Sequence, residues 1–362
     1  YNCADLISWA QAGDSVGESG VDNDIMHRTM GLAEDFPEEI AYQYLVLYML
    51  DGYPVVPGSS QSSEILACVD RYDTLYREEL MAEDSEDERL AHMKKLTGIY
   101  LKLGDTAQGA AYAQRAAEET GDPFLTEQAM YGYFMLAEGE ECRERAEAAL
   151  KEDPDSFIAR SYAGRAAMLL DDYPAVADYG VRLSDIAKES DDPYADYMLY
   201  QFVSYLTVED SWYAMSDRFP GAACYHELPE EQLKQIQENE YLNAYIQAFA
   251  ASTDNTVVDL GYYRWEDPEG ERALELADAL ISMKEEAGFP HYIRGMVLNG
   301  VDRYEEAIRE YTAALAQQPD EHYIWYALGA CYEELGDLQN AQQAFQISLD
   351  IMPKIGSSHT GD

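Results

Sequence analysis

Positive charge is scarce in this chain of 362 residues, which has 24 lysines and arginines against 70 aspartates and glutamates and a formal net charge of −46. A field of this sign repels phosphate backbones and anionic lipid surfaces, so we expect neither nucleic acid nor a membrane surface as a partner. The simplest interpretation of the excess is a solvated surface. The alternatives are attraction to a basic partner and adaptation to high salt, which screens self-repulsion.

Long apolar runs and paired cysteines are missing as well. No run reaches the length of about eighteen apolar residues that a membrane-spanning helix needs. The five cysteines are scattered without a CxxC pair, which argues against a disulfide framework and a zinc site and favours buried thiols in a reducing, cytoplasmic compartment. Localisation nevertheless stays open, because the first residue is Tyr1 and a missing leader would imply export or membrane anchoring.

Motifs for catalysis and cofactor binding are also missing. No GxxxxGK[ST] loop and no GxGxxG segment after a strand supports nucleotide binding, and no HExxH or i, i+4 histidine pair supports a metal site. Asp22-Asn23-Asp24 lacks the glycine and closing glutamate of a calcium loop, and we interpret it as a helix N-cap. The sequence therefore predicts no catalytic residue, cofactor or metal. An enzyme with a site in 191–253 or in the N-terminal region is a less favoured alternative.

The sequence does contain an internal repeat near its C-terminus. Four pairs of residues recur at a spacing of 34: Gly295 and Gly329, Ala307 and Ala341, Tyr311 and Phe345, and Pro319 and Pro353. A helical hairpin explains the pattern. A glycine lets two helices approach closely, a small and an aromatic residue four apart face the partner helix, and a proline ends the second helix.

The string Trp325-x2-Leu328-Gly329-x2-Tyr332, followed by Ala341-x3-Phe345 and Pro353, resembles the tetratricopeptide repeat nearly position for position. The preceding copy, 288–321, departs from the motif at His291 and Arg294. The resemblance implies an all-α fold, an α-solenoid of tandem antiparallel helix hairpins that forms a right-handed superhelix, with divergent N-terminal and middle helices.

The repeat weakens towards the N-terminus and is interrupted in the middle. We predict a divergent helical capping region at 1–89, three repeats at 90–190, an irregular helical insertion or degenerate repeats at 191–253, a degenerate repeat at 254–287, two clear repeats at 288–356 and a tail at 357–362. The capping region is expected to hold helices near 24–34, 38–50 and 61–81. In the middle region, helices are expected over Tyr194–Leu206 and Glu230–Ala251.

In the family, the first helix of each repeat lines a concave groove. Carrying the groove positions onto this chain predicts ten partner-binding residues: Lys94, Lys95, Lys102, Phe124, Tyr131, Tyr162, Arg165, Tyr292, Tyr323 and Tyr326. Tyrosine dominates this set, as it does at interaction hot spots, and the Lys/Asn/Arg pattern that clamps peptide carboxylates in some family members is not reproduced. For each aromatic the alternative is packing against the next repeat, and for the lysines it is pairing with nearby carboxylates.

The resemblance implies a non-catalytic scaffold that binds an extended peptide or a helix of a protein partner in this groove. The sequence specifies neither the partner nor the oligomeric state. The alternative is a sensory or regulatory module of a longer protein, whose N-terminal effector or anchor is missing from the chain.

Overall fold

The computed structural model describes residues 19–50, 58–207, 224–253 and 269–351. Within these ranges it contains seventeen α-helices, one 3-10 turn at Cys224–Glu227 and no strand. The predicted all-α class, a solenoid of helix hairpins, is confirmed. The chain divides into two compact units between Gly132 and Tyr133. This division is coarser than the domain organisation expected from the sequence, which stays a prediction.

The first unit is built from six helices: α1 (Ser19–Asp35), α2 (Ile40–Met49), α3 (Ser60–Glu79), α4 (Glu86–Leu103), α5 (Thr106–Thr120) and most of α6 (Pro123–Met135). A single apolar core extends from Met26 on α1 to Leu125 on α6. The N-cap interpretation of Asp22-Asn23-Asp24 is wrong, because these residues lie inside α1, which already begins at Ser19.

The hairpin of α4 and α5 shows why this unit's helices begin and end where they do. The Ser85 hydroxyl accepts the backbone N–H of Glu88, whose carboxylate accepts the N–H of Ser85, so a capping box starts α4. The helix ends at Gly104, where a φ of 91° is readily adopted only by glycine. The carboxylate of Asp105 then accepts the N–H of Gln108 and caps α5. Local side-chain chemistry thus sets the bounds of this hairpin.

The second unit begins with the end of α6 and continues through eleven more helices: α7 (Gly139–Glu152), α8 (Phe157–Leu169), α9 (Tyr173–Glu189), α10 (Pro193–Thr207), α11 (Glu230–Glu238), α12 (Glu240–Thr253), α13 (Glu271–Met283), α14 (Gly288–Gly300), α15 (Tyr304–Gln317), α16 (His322–Glu334) and α17 (Leu338–Ile351). The two C-terminal hairpins, α14–α15 and α16–α17, contain the same kind of contact between their two helices. A Cβ on Gly295 would lie 2.5 Å from the Tyr311 ring, and one on Gly329 would lie 2.7 Å from the Phe345 ring. The repeated glycine therefore lets an aromatic ring of the second helix lie against the first helix.

The helices of the middle region, 191–253, pack in a different way. Phe202 on α10 is fully buried and lies against the preceding hairpin, where a Cβ on Gly164 or Gly180 would come within 2.6 or 2.7 Å of its ring. The helical pattern expected over Glu230–Ala251 forms two helices, because the chain is extended at Asn239 between α11 and α12. The Asn239 amide oxygen accepts the N–H of Leu242 and caps α12, and its amide nitrogen donates to Asp185.

A buried carboxylate joins the middle region to the C-terminal repeats. Asp196 on α10 is fully buried and accepts the backbone N–H of Phe289, at the start of α14, at 3.1 Å. The Tyr241 hydroxyl on α12 lies 3.4 Å from the other carboxylate oxygen. Burial raises the pKa of Asp196 to about 6, against the opposing effects of Lys284 and of these two hydrogen bonds. One ionisable side chain thus links three helices.

Of the expected degenerate repeat at 254–287, only the second helix, α13, lies within the described ranges. The distorted turn expected at Trp265-Glu266-Asp267-Pro268 lies outside them, as does most of the long connection at 51–58.

Candidate partner-binding surfaces

The lysines expected to bind a partner lie on α4 in the first unit. The Lys94 ammonium forms an ion pair with Asp122 at 2.9 Å and sits 5.4 Å from the centre of the Phe124 ring. Lys95 lies 6.0 Å from the Tyr44 ring. The Lys102 side chain lies outside the described part of the chain. Lys94 therefore pairs with a carboxylate of its own unit, and a binding role for these lysines stays a prediction.

Tyr131 and Tyr326 are the two most exposed of the expected aromatic contacts. In the first unit, Tyr131 on α6 exposes 38% of its surface. In the second unit, Tyr326 on α16 exposes 63%, and its ring lies 5.4 Å from Phe345. Each is open to solvent in its own unit and needs no rearrangement to reach a partner.

Tyr162 and Arg165 on α8 lie in the interior of the second unit, each about 4% exposed. The Arg165 guanidinium is 4.0 Å from the centre of the Tyr162 ring and also lies against Phe134 and Tyr205. Its Nε donates to the Ser161 carbonyl at 3.4 Å, and no described carboxylate forms an ion pair with it. Their burial makes both residues less available to a partner than Tyr326.

Tyr292 and Tyr323 belong to a larger cluster of rings from three helices of the second unit. We name this cluster the tyrosine surface, and its members are Tyr194, Tyr197 and Tyr200 on α10, Phe289 and Tyr292 on α14, and Tyr323 on α16. The Tyr200 ring stacks on Phe289 at 4.7 Å and runs parallel to Tyr323, 9° apart at 6.4 Å. The five tyrosines are partly exposed, whereas Phe289 is fully buried beneath them.

Three tyrosines of the tyrosine surface were not among the residues expected from the sequence. Tyr194, Tyr197 and Tyr200 lie in 191–253, where no repeat signature supplies groove positions. Their spacing of three residues places them on one helix face, and this spacing is the feature of the sequence that could have identified them. Only the fold places that face beside Tyr292 and Tyr323.

An acidic group borders the tyrosine surface at Glu321, the residue before α16. Burial raises the pKa of this carboxyl to about 7, Asp320 raises it further, and the neighbouring Tyr323 hydroxyl opposes the shift. The side chain does not cap α16, and within the described ranges no basic group forms an ion pair with it. The Tyr323 hydroxyl is itself buried beside this carboxylate.

The described residues contain no group of three or more His, Cys, Asp or Glu side chains that could hold a metal ion. Four cysteines lie in this part of the chain, all buried and none in a disulfide, and burial raises the pKa of Cys142 to about 12. In the same ranges no helix is both long and apolar enough to cross a membrane.

Residues 294–354 match the family model of the tetratricopeptide repeat. No curated protein sequence matches the chain significantly. The solved structures that match the chain include the following three. A structure titled as YrrB, a TPR protein with an unusual peptide-binding site, is 16% identical, covers 67% of this chain and 92% of its own, and has a TM-score of 0.24. The human IFIT1 dimer with PPP-AAAA is 15% identical, with 92% and 73% covered and a TM-score of 0.32. The P58(IPK) TPR domain is 11% identical, with 96% and 94% covered and a TM-score of 0.24. TM-scores this low say nothing of ligand or partner.

Proposed function

Since the chain is a tetratricopeptide repeat protein, we propose that it is a non-catalytic scaffold that binds an extended segment or a helix of a protein partner on the tyrosine surface. The observation that supports this proposal is the partial exposure of five tyrosines from three helices whose rings contact one another. A core made only for stability would cover such rings, as Phe289 is covered.

Tyrosine suits this role for a physical reason. Its ring offers a large apolar contact area, its hydroxyl offers a hydrogen bond, and its few torsions make ordering inexpensive in entropy. The rings of the tyrosine surface also hold one another in place, because Tyr200 contacts Phe289, Tyr292 and Tyr323. Such a preorganised surface loses little conformational freedom when a partner binds.

The other residues expected from the sequence fit this proposal to different degrees, according to their exposure. Tyr326 lies one helical turn beyond Tyr323 on α16 and is exposed, so it extends the contact surface. Tyr131 and Lys95 form a separate proposed contact in the first unit. Tyr162 and Arg165 are weaker candidates because they are buried. That the chain binds a protein rather than nucleic acid is part of the proposal and follows from its charge.

The proposal can be tested by selecting peptides from a random displayed library on the full chain and measuring their affinities for variants. We expect Tyr197→Ala/Tyr323→Ala to weaken the selected peptides by at least about tenfold, the loss typical of two hot-spot aromatics. The matched control is Tyr304→Ala, which removes a tyrosine on α15 that lies outside the tyrosine surface and whose hydroxyl donates to Asp302. Equal affinity for the double variant and the wild type, with both folded by circular dichroism, would contradict the proposal.

A further inference from the structure

The first of the two C-terminal repeats departs from the motif at His291 and Arg294, where the last repeat has Trp325 and Leu328. In the structure both residues lie on α14 and bind the same carboxylate, that of Glu310 on α15. The distance is 2.8 Å from His291 Nδ1 to Oε2 and 2.8 Å from Arg294 Nη1 to Oε1. Polar contacts thus join these two helices at positions where the motif has apolar side chains.

Arg294 extends this contact to a third helix. Its Nε donates to the Asp278 carboxylate on α13 at 2.6 Å, while the same guanidinium binds Glu310. A guanidinium stays charged at any pH near neutral, so these two bonds do not depend on pH there. His291 differs, because imidazole gains or loses its charge in this range. We name these four side chains, His291, Arg294, Glu310 and Asp278, the histidine network.

The surroundings of His291 favour its protonated form. The side chain is 22% exposed, and its hydrogen bond to Glu310 raises the pKa of the imidazole above 6.5, although burial and Arg294 oppose the shift. A backbone hydrogen bond at Glu285, before α14, acts in the same direction as Glu310. Burial also raises the pKa of Glu310, but the bonds from His291 and Arg294 outweigh this effect and hold it below its usual value. Glu310 is therefore ionised wherever the imidazole titrates.

A further titratable group contacts α14 from another helix. Asp196 on α10 accepts the backbone N–H of Phe289, and the Tyr241 hydroxyl on α12 lies beside that carboxylate. The stabilising effect of Asp196 is also lost as the pH rises. A fall in stability with pH therefore does not by itself identify His291, and variants of the two residues of the ion pair are needed.

We propose that the histidine network is a pH-sensitive contact between α14 and α15, strong when His291 is protonated and weaker when it is neutral. The protonated ring donates from Nδ1 to a carboxylate that Arg294 also binds. The neutral ring can still donate one hydrogen bond, but its charge attraction to Glu310 is lost. This inference does not rest on the proposed function.

The sign of the pH dependence follows from the raised pKa of His291. Its contribution to stability is complete below the ordinary pKa of histidine, about 6.5, and is lost as the pH rises through the higher pKa of the folded chain. The effect is smaller than that of the fully buried Asp196, because His291 and Glu310 are partly exposed and water screens their attraction.

The first test compares the thermal unfolding of the full chain and of His291→Asn at pH 5.5 and pH 9. The asparagine amide can replace Nδ1 as a donor to Glu310 but cannot become charged. We expect the variant to unfold about 2–4 °C below the wild type at pH 5.5, as for loss of one partly exposed charged contact, and the difference to shrink by at least about half at pH 9. A difference that is the same at both pH values would overturn the proposal.

The control for this test is His27→Asn. His27 is exposed on α1, and the histidines that form ion pairs within the described ranges are His92, His226 and His291. We expect His27→Asn to differ from the wild type by the same small amount at both pH values, so the control removes one histidine without removing the contact between α14 and α15.

The second test follows the Hε1 resonance of His291 by NMR, identified by its absence from His291→Asn. We expect it to titrate above the ordinary histidine pKa of about 6.5 in the wild type and at a lower pH in Glu310→Gln. Glu305→Gln should leave the titration unchanged, because Glu305 is exposed on the same helix, forms no described ion pair and changes the net charge equally. A wild-type titration at or below the ordinary value, or one that Glu310→Gln does not lower, would also overturn the proposal.

Discussion

The C-terminal repeats and the middle region of the second unit solve the same packing problem in different ways. In each repeat the glycine and the ring that covers it belong to one hairpin, and they lie 16 residues apart in both copies, from 295 to 311 and from 329 to 345. In the middle region, Phe202 covers Gly164 and Gly180, which belong to the preceding hairpin. A contact within a repeat leaves a periodic trace in the sequence, whereas a contact between different hairpins leaves none.

The two regions also differ in how polar groups are used. The middle region is joined to α14 by the fully buried Asp196 and is divided at Asn239, whose amide group bonds to α9 and α12. In the C-terminal hairpins, the glycine contacts depend on apolar rings. The stability of the middle region should therefore depend more strongly on pH than the stability of the repeats.

The largest expected effect comes from truncating the rings that cover the glycines. We expect Phe202→Ala to cost about 3–5 kcal/mol of unfolding free energy, because the ring is fully buried and fills space above two glycines. Tyr311→Ala should cost a similar or slightly smaller amount, and Phe345→Ala, at a partly exposed ring, about 1–2 kcal/mol. Urea unfolding curves measure the three values. A loss for Phe345→Ala as large as that for Phe202→Ala would break the comparison.

The second effect concerns the pH dependence of the middle region. The pKa of Asp196 is raised from 3.8 to about 6, so the folded chain holds this proton more tightly than the unfolded chain. Its contribution to stability is thus complete below pH 4 and is lost as the pH rises through about 6, with a total near 2–3 kcal/mol.

Asp196→Asn removes this titration while its amide oxygen can still accept the Phe289 N–H. We expect the variant to lose less stability than the wild type between pH 4.5 and pH 7.5, as measured by thermal unfolding. The comparison with the wild type cancels the repulsion among the other acids. Parallel curves for the two proteins would show that Asp196 does not control the joint to α14.

The smallest expected effect comes from replacing glycine by alanine. It distinguishes two properties of glycine, the close approach of a ring to the helix and the low helix propensity of its backbone. Gly329→Ala places a Cβ within 2.7 Å of the Phe345 ring and should cost about 1–3 kcal/mol, since the ring must move. Gly31→Ala is the control, because a Cβ there on helix α1 meets nothing within 4 Å, and it should stabilise the chain by about 0.5–1 kcal/mol. Opposite signs in urea unfolding support the interpretation, and a stabilising Gly329→Ala would contradict it.

The fold of the C-terminal repeats was predictable because every feature of the hairpin is local. Glycine, alanine and an aromatic ring recur at fixed positions, and the helices that carry them begin and end close to the motif. The break at Asn239 was not predictable in this way. Residues 230–251 have a helical pattern on both sides of it, and the partners of the asparagine, Asp185 and Ser184, are more than 50 residues away.

The candidate site also contains a part that the sequence predicts and a part that depends on the fold. Tyr292, Tyr323 and Tyr326 could be named from their repeat positions, because a repeat carries its groove residues at set places on its first helix. The helical face of Tyr194, Tyr197 and Tyr200 could also be read from spacing, but its neighbours could not. Stacking at 4.7 Å between Tyr200 and Phe289, and the burial that raises the pKa of Glu321 to about 7, arise only when separate helices meet. Periodicity encodes contacts within a repeat, whereas ring stacking and desolvation across 100 or so residues depend on how helices pack in three dimensions.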